Sequence, residues 1–280
     1  MHSDRLQRRT FLLGTAVLAL SPSLVAAQST VMRGVPYGSH QLNTLDVYLP
    51  QIAQNAPLAI MVHGGAWKIG DKSNASVWRN KGRMFNDLGY IFISVNYRML
   101  PEARPLRQAM DVARAIAFIQ ANAARWGGDA RRSVVLGHSA GAHLVSLLAS
   151  DPGLLRAGGA YPWNATVALD SAAYDVEEVM FGRPARFYRD AFGDDRAYWR
   201  AASPLARLGR ERGPFLLVCS TKRLTACPNA RDFATAVTAR GGDAMVLPVA
   251  LGHRKINTDL GKQNAYTESV LKFIRAQGLP

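Results

Sequence analysis

Gly137-His138-Ser139-Ala140-Gly141 joins the apolar run Ser133-Val134-Val135-Leu136 to the helix-forming segment Ala142-His143-Leu144-Val145-Ser146-Leu147-Leu148-Ala149. This pattern predicts a strand, a five-residue turn and a helix. A Cβ on either glycine would collide where strand and helix nearly touch. Glycine there lets the backbone hold Ser139 at the apex with its hydroxyl exposed. Ser139 is therefore the candidate nucleophile, and the chain is constrained to a fold in which strands feed helices.

A second strand-to-loop junction lies upstream, where Leu58-Ala59-Ile60-Met61-Val62 runs into His63-Gly64-Gly65-Ala66-Trp67. Acyl transfer passes through a tetrahedral oxyanion. Backbone N–H groups at Gly64 and Gly65 can approach such an anion unobstructed, and the Ala140 N–H can donate from the nucleophile turn. A third junction follows Ala244-Met245-Val246-Leu247-Pro248-Val249, where Leu251-Gly252-His253 occupies the loop. His253 is the candidate general base, able to take the Ser139 proton and return it to the leaving group. Of the six histidines, His2 lies in a targeting segment, His63 and His138 belong to the motifs just described, and His143 sits on the helix after the serine. His40 has no strand-end context.

The motifs HGGAW and GHSAGAH, in this order, resemble those of the α/β-hydrolase superfamily. The segments Leu45-Asp46-Val47-Tyr48-Leu49-Pro50, Val95-Asn96-Tyr97-Arg98, Asp111, Trp126-Gly127-Gly128-Asp129 and Ile256-Asn257 after His253 extend the likeness. Together they look like the hormone-sensitive-lipase-like esterases and their relatives, which include carbohydrate acetyl and feruloyl esterases and kynurenine formamidases. The resemblance implies an α/β-hydrolase fold: a mostly parallel central sheet flanked by helices, with a small cap insertion.

The chain departs from that pattern in its third catalytic group. The triad carboxylate of the family normally follows the strand corresponding to Phe215-Leu216-Leu217-Val218, but Cys219 to Asn229 contains no Asp or Glu. By resemblance Thr225 or a neighbour stands in the acid's place. Asp170 and Asp175, after the strand Val167-Ala168-Leu169, are candidates for a relocated acid, against a reading of both as helix caps. Two alternatives stay open: a Ser139–His253 pair with a neutral or water-mediated orienter, and a fold that has kept its pocket for binding and lost catalysis.

Length and an apolar content of 48% suit one sizeable core. The alternation of strands and helices predicts an open, mostly parallel sheet covered on both faces. An antiparallel hairpin is expected over about 31–50, a helix over about 105–124 and a cap over about 176–207. Eight arginines lie between Arg183 and Arg212, readable as a cationic rim or as a solvated, internally paired face. Trp163, Tyr188, Tyr198 and Trp199 are pocket candidates or ordinary packing.

Residues 1–27 resemble a twin-arginine signal peptide, with Arg8-Arg9-Thr10-Phe11-Leu12, an apolar run too short to span a bilayer, and a small-residue site at Val25-Ala26-Ala27. Residues 28–280 would form the catalytic domain, in the periplasm or secreted, with no stable membrane anchor. In an oxidising compartment the two cysteines, Cys219 and Cys227, are expected to pair. The net charge of +14, or +12 without the leader, favours anionic surfaces or polysaccharides, and no nucleic-acid-binding motif accompanies it. No metal or other cofactor is expected. The activity implied is cleavage of short-chain carboxylic esters, acetyl, small aryl or sugar, through an acyl-enzyme. An arylformamidase-like amide hydrolase is the alternative enzyme.

Overall fold

Ala56–Val62 is buried at every position, and its side chains alternate between two cores. Leu58, Ile60 and Val62 pack into one, Ala59 and Met61 into the other. A strand buried on both faces belongs inside a sheet covered by helices on both sides. A computed structural model shows this arrangement for residues 30–209 and 213–280; the segment read as a signal peptide lies outside these described residues.

The strands are β1 (Val31–Pro36), β2 (Thr44–Tyr48), β3 (Ala56–Val62), β4 (Ile91–Val95), β5 (Gly128–His138), β6 (Ala165–Leu169), β7 (Phe215–Ser220) and β8 (Ala244–Val249). They form one sheet in the order β1-β2-β4-β3-β5-β6-β7-β8. β1 and β2 pair antiparallel, as does β2 with β4, and the remaining pairs are parallel. This is the α/β-hydrolase architecture expected from the sequence, opening with the expected hairpin.

The helix predicted over about 105–124 is Pro105–Asn122, continued by a 3-10 turn to Trp126. It packs with Ala140–Ser150 on one face of the sheet, through Ala109, Val112, Ile116, Leu144 and Leu148. Ala75–Asp87 and Ala265–Ala276 cover the other face through Val77, Phe85, Val270 and Ile274. Three short helices, Val176–Phe181, Arg186–Phe192 and Arg196–Ala201, intervene between β6 and β7.

From β3 the chain turns to β4 on one side, then crosses to β5 on the other. The strand order therefore reverses between β3 and β5. In open α/β sheets such a switch point leaves a crevice beyond the carboxyl ends of the strands. Here those ends carry His63-Gly64-Gly65 and His138-Ser139.

Candidate active site

The turn after β5 is too tight for side chains at its flanks. A Cβ on Gly137 would lie 2.3 Å from the Gly141 carbonyl oxygen, and one on Gly141 would lie 2.3 Å from that of Val62. Ser139 at the apex takes φ 55° and ψ −117°, a region L residues rarely enter. Its N–H is held by the Leu169 carbonyl at 3.0 Å, and the helix Ala140–Ser150 starts directly after it. Strain of this kind costs on the order of 1–3 kcal/mol and persists only where surrounding packing enforces it.

The loop after β3 packs directly on this turn. A Cβ on Gly64 would meet the His138 carbonyl oxygen at 2.7 Å and Ser139 Cβ at 2.9 Å. Gly65 has φ 129°, and a Cβ there would sit 1.8 Å from the Ile69 carbonyl oxygen. The Ala140 N–H opens a helix and so has no intrahelical acceptor. Gly64, Gly65 and Ala140 thus border the same cavity as Ser139. His63 braces the loop from behind, stacked on Tyr97 at 4.5 Å, with the Tyr97 hydroxyl donating to its carbonyl at 2.9 Å. Burial pushes the His63 imidazole below its ordinary range, so the ring is a neutral wedge.

His253 begins the helix His253–Asp259 after β8 and lines the same cavity. Its Nδ1 lies 2.5 Å from Asp170 Oδ2. Asp170 is fully buried at the end of β6, with φ 58° and its N–H bonded to the Val218 carbonyl at 2.8 Å. Burial alone raises its carboxyl pKa. The hydrogen bonds from His253 and the Ser220 N–H, with the Arg223 charge, outweigh burial and hold it below the usual carboxylate range. Beneath this pair His138 packs its ring 4.5 Å from that of His253 and meets the His253 carbonyl through Nε2 at 3.1 Å. Burial, reinforced by the neighbouring His253, pushes His138 down to about 3, so it stays neutral.

Of the two candidate acids, the fold brings Asp170 to His253 and leaves Asp175 elsewhere. Asp175 caps the helix Val176–Phe181, accepting from the Glu177 N–H at 3.0 Å and the Glu178 N–H at 3.3 Å. Thr225 stands at the N-cap position of the helix Ala226–Ala239. The β7 loop does reach the site, with different residues. The Ser220 N–H donates to Asp170 Oδ1 at 2.8 Å, and its hydroxyl donates to the Leu251 carbonyl at 2.6 Å. Arg223 Nη1 lies 2.8 Å from Asp170 Oδ2. Sequence reasoning gave neither residue a role, since both act on a carboxylate about 50 positions away. The loop is closed by the expected disulfide between Cys219 and Cys227, with Cα atoms 5.1 Å apart.

The cavity has a volume of about 650 Å³. Trp67, Phe187 and Tyr188 form an aromatic wall, with Phe187 and Tyr188 ring centroids 4.3 Å apart. Tyr188 is the member of the four sequence candidates that lines it. Trp163 donates to Thr166 Oγ1 at 2.8 Å, Trp199 packs on Phe181, and Tyr198 lies under the Arg104 guanidinium at 3.7 Å. Among the described residues the arginines of segment 183–207 are not the cavity's cations. Arg196 and Arg200 pair with Glu177, Arg186 pairs with Asp190, and Arg207 pairs with Asp151. Arg223 and Arg254 line the cavity instead. No group of His, Cys, Asp and Glu side chains suited to a metal occurs among the described residues, and none of their helices is long and apolar enough to cross a membrane.

Known proteins bear on this geometry at three levels. The BD-FAE family matches residues 45–156, which include the glycine loop and the serine turn. Esterase LipQ of Mycobacterium tuberculosis is 32% identical over 232 residues, covering 77% of this chain and 54% of that protein. The chain spans about half the length of such curated relatives. A truncated carbohydrate esterase from gut microbiota superposes with a TM-score of 0.70 at 20% identity, covering 90% of this chain and 97% of the other. Esterase B of Lactobacillus rhamnosis, inhibited by a tributyrin phosphonate, superposes with a TM-score of 0.72 at 20% identity, covering 89% and 85%. These two structures share the fold, while the sequence matches carry the kinship. The chain belongs to the α/β-hydrolase superfamily, in its hormone-sensitive-lipase-like branch, and is homologous to esterases.

Proposed function

We propose that this chain is a serine esterase that cleaves small carboxylic esters through an acyl-enzyme. Ser139 attacks the carbonyl carbon while His253 takes its proton. The tetrahedral oxyanion is held by the N–H groups of Gly64, Gly65 and Ala140. His253 then protonates the departing alcohol. Water, activated by the same imidazole, releases the acid. Asp170 orients the ring and stabilises the imidazolium formed in each step.

The observation that carries this reading is the 2.5 Å contact between Asp170 Oδ2 and His253 Nδ1 at the cavity that holds Ser139. It removes the motive for a silent binding protein, which was the missing carboxylate in the β7 loop. The volume of about 650 Å³ and the Trp67-Phe187-Tyr188 wall favour short acyl groups and planar aryl or sugar leaving groups. The three short helices between β6 and β7 would act as the cap, contributing Phe187 and Tyr188. Export by the twin-arginine route, with the periplasm or exterior as the working compartment, is part of the proposal and is compatible with the disulfide.

The test is hydrolysis of p-nitrophenyl acetate and butyrate by the purified protein and its Ser139→Ala variant. Turnover that vanishes with the hydroxyl supports the reading. Equal rates for the two proteins, or hydrolysis of N-formylkynurenine alone, would sink it, the second in favour of an amide hydrolase.

A further inference from the structure

We propose that Arg223 is a positioning residue for the Asp170–His253 pair, a guanidinium in the β7 loop that keeps the imidazole neutral and available to lower pH than a bare carboxylate–histidine pair would. The inference rests on the reading of His253 as the base.

The geometry is specific. Arg223 Nη1 lies 2.8 Å from Asp170 Oδ2, 3.0 Å from the Asp170 carbonyl oxygen and 3.3 Å from His253 Nδ1. Its two protons suit the two oxygens of Asp170. The third contact is of another kind. The His253 Nδ1 proton is directed to Asp170 Oδ2 at 2.5 Å, so Nδ1 is a donor and cannot accept from the guanidinium. A positive group therefore stands beside an N–H that becomes part of an imidazolium during catalysis. Asp170 Oδ1 is bonded to the Ser220 N–H, so both carboxylate oxygens are engaged and the acid cannot swing away from the ring.

Charge decides the consequence. A buried carboxylate alone favours the protonated ring, and an adjacent guanidinium offsets that bias. The other titratable groups near the pair are His138 against the ring, Lys81 beyond His138, Tyr188 beside Arg223, Tyr174 and Tyr266 within electrostatic reach of Asp170, and Arg254 next in sequence. Among the described residues Arg223 is the cation in contact with both members of the pair. Its loop is pinned at both ends, by the disulfide and by the Arg223 N–H to the Ser220 carbonyl at 3.2 Å, so the charge is held in place.

The experiment follows the His253 ring signals by NMR from about pH 4 to about 9 in wild type, Arg223→Gln and Arg223→Lys, with His253→Gln identifying the resonance. The titration midpoint is expected to rise by about one pH unit in Arg223→Gln and by clearly less in Arg223→Lys, which keeps the charge and loses the fork. In parallel, kcat/KM of Arg223→Gln on p-nitrophenyl acetate is expected to fall about tenfold near pH 6 and only about threefold near pH 8. A midpoint equal to or below wild type overturns the proposal. Should Arg223→Gln fail to fold because the buried Asp170 has lost its neighbouring cation, Asp170→Asn is compared with Asp170→Asn/Arg223→Gln. The double variant must then titrate higher, and an equal or lower midpoint overturns the proposal equally. The NMR result does not depend on turnover. A midpoint that rises in Arg223→Gln, with no Ser139-dependent hydrolysis by the wild type, would sink the esterase reading and leave the contact of Arg223 with the pair standing.

Discussion

Asp170 and His253, 83 residues apart in the chain, meet through a single 2.5 Å contact between Oδ2 and Nδ1 at the carboxyl end of the sheet. Asp170 can make it because its backbone turns into the left-handed region, φ 58°, as soon as β6 ends. Aspartate tolerates that conformation better than most residues. Asp170 thus approaches His253 from the strand beside the one that carries Ser139, while the last residue of β7 and the loop after it supply the N–H and guanidinium that hold it.

Asp170→Asn is expected to lower kcat on p-nitrophenyl acetate by about three to four orders of magnitude, because the amide can hold the ring in the wrong tautomer and cannot balance an imidazolium. Asp175→Ala separates the two aspartates. It should leave kcat within about twofold and cost about 1 kcal/mol of stability through loss of a helix cap. Steady-state kinetics and thermal melts of both variants check this, and a large kcat loss in Asp175→Ala would contradict the assignment.

The acid side of the stability profile should report the same carboxylate. The folded-state pKa of Asp170 is depressed, so its stabilising contribution is present above the unfolded value near 4 and is lost as pH falls through the folded value. Stability measured by denaturant titration should therefore fall more steeply below about pH 4 for wild type than for Asp170→Asn. Parallel curves for the two proteins would count against a buried, hydrogen-bonded carboxylate.

Gly64→Ala should fail at the chemical step. Its Cβ would sit within 3 Å of both the His138 carbonyl and Ser139 Cβ, so the loop must shift away from the oxyanion position. Losing one donor of that kind costs roughly 3 to 4 kcal/mol of barrier. A kcat reduced about a hundredfold or more with KM little changed is the expected pattern. A change confined to KM would mean that the loop only binds substrate.

Lys81 carries a separate pH signal. Its ammonium is buried behind the histidine helix and donates to the Asn257 carbonyl at 2.6 Å, Asn257 Oδ1 at 3.0 Å and the Ser76 carbonyl at 3.0 Å. Burial without a carboxylate pushes it down to about 7. Between that value and the unfolded one near 10.5 the unfolded chain binds the extra proton, so this group makes stability rise with pH across that window. Relative to Lys81→Met, wild type should gain up to about 1.4 kcal/mol per pH unit above neutrality. Chemical denaturation at three or four pH values for both proteins would reveal the difference in slope.

Much of this site could be read from short stretches of sequence. Gly64, Gly137 and Gly141 stand where backbones touch, and only glycine satisfies such contacts, so the turn and the loop announce themselves locally. His253 was readable as a candidate base from its place after a final strand. Asp170 and Asp175 were indistinguishable, because the choice depends on which residue the Val218 carbonyl catches at the strand end. Arg223 was hidden for a further reason: a cation in that loop has meaning only once the acid is known to lie one strand away. Trp163, Tyr198 and Trp199 illustrate the converse, since an indole or phenol satisfied inside the fold looks the same in sequence as one facing a substrate.

The strand order has a mechanical consequence. Ser139, Asp170 and Arg223 are mounted just beyond the ends of β5, β6 and β7, three neighbours joined by continuous parallel hydrogen bonding. Their mutual spacing is therefore the pitch of the sheet itself, as with teeth cut on one rack. Loosening an outer helix leaves that pitch intact, whereas slipping one of these strands by a single residue dismounts the whole set at once.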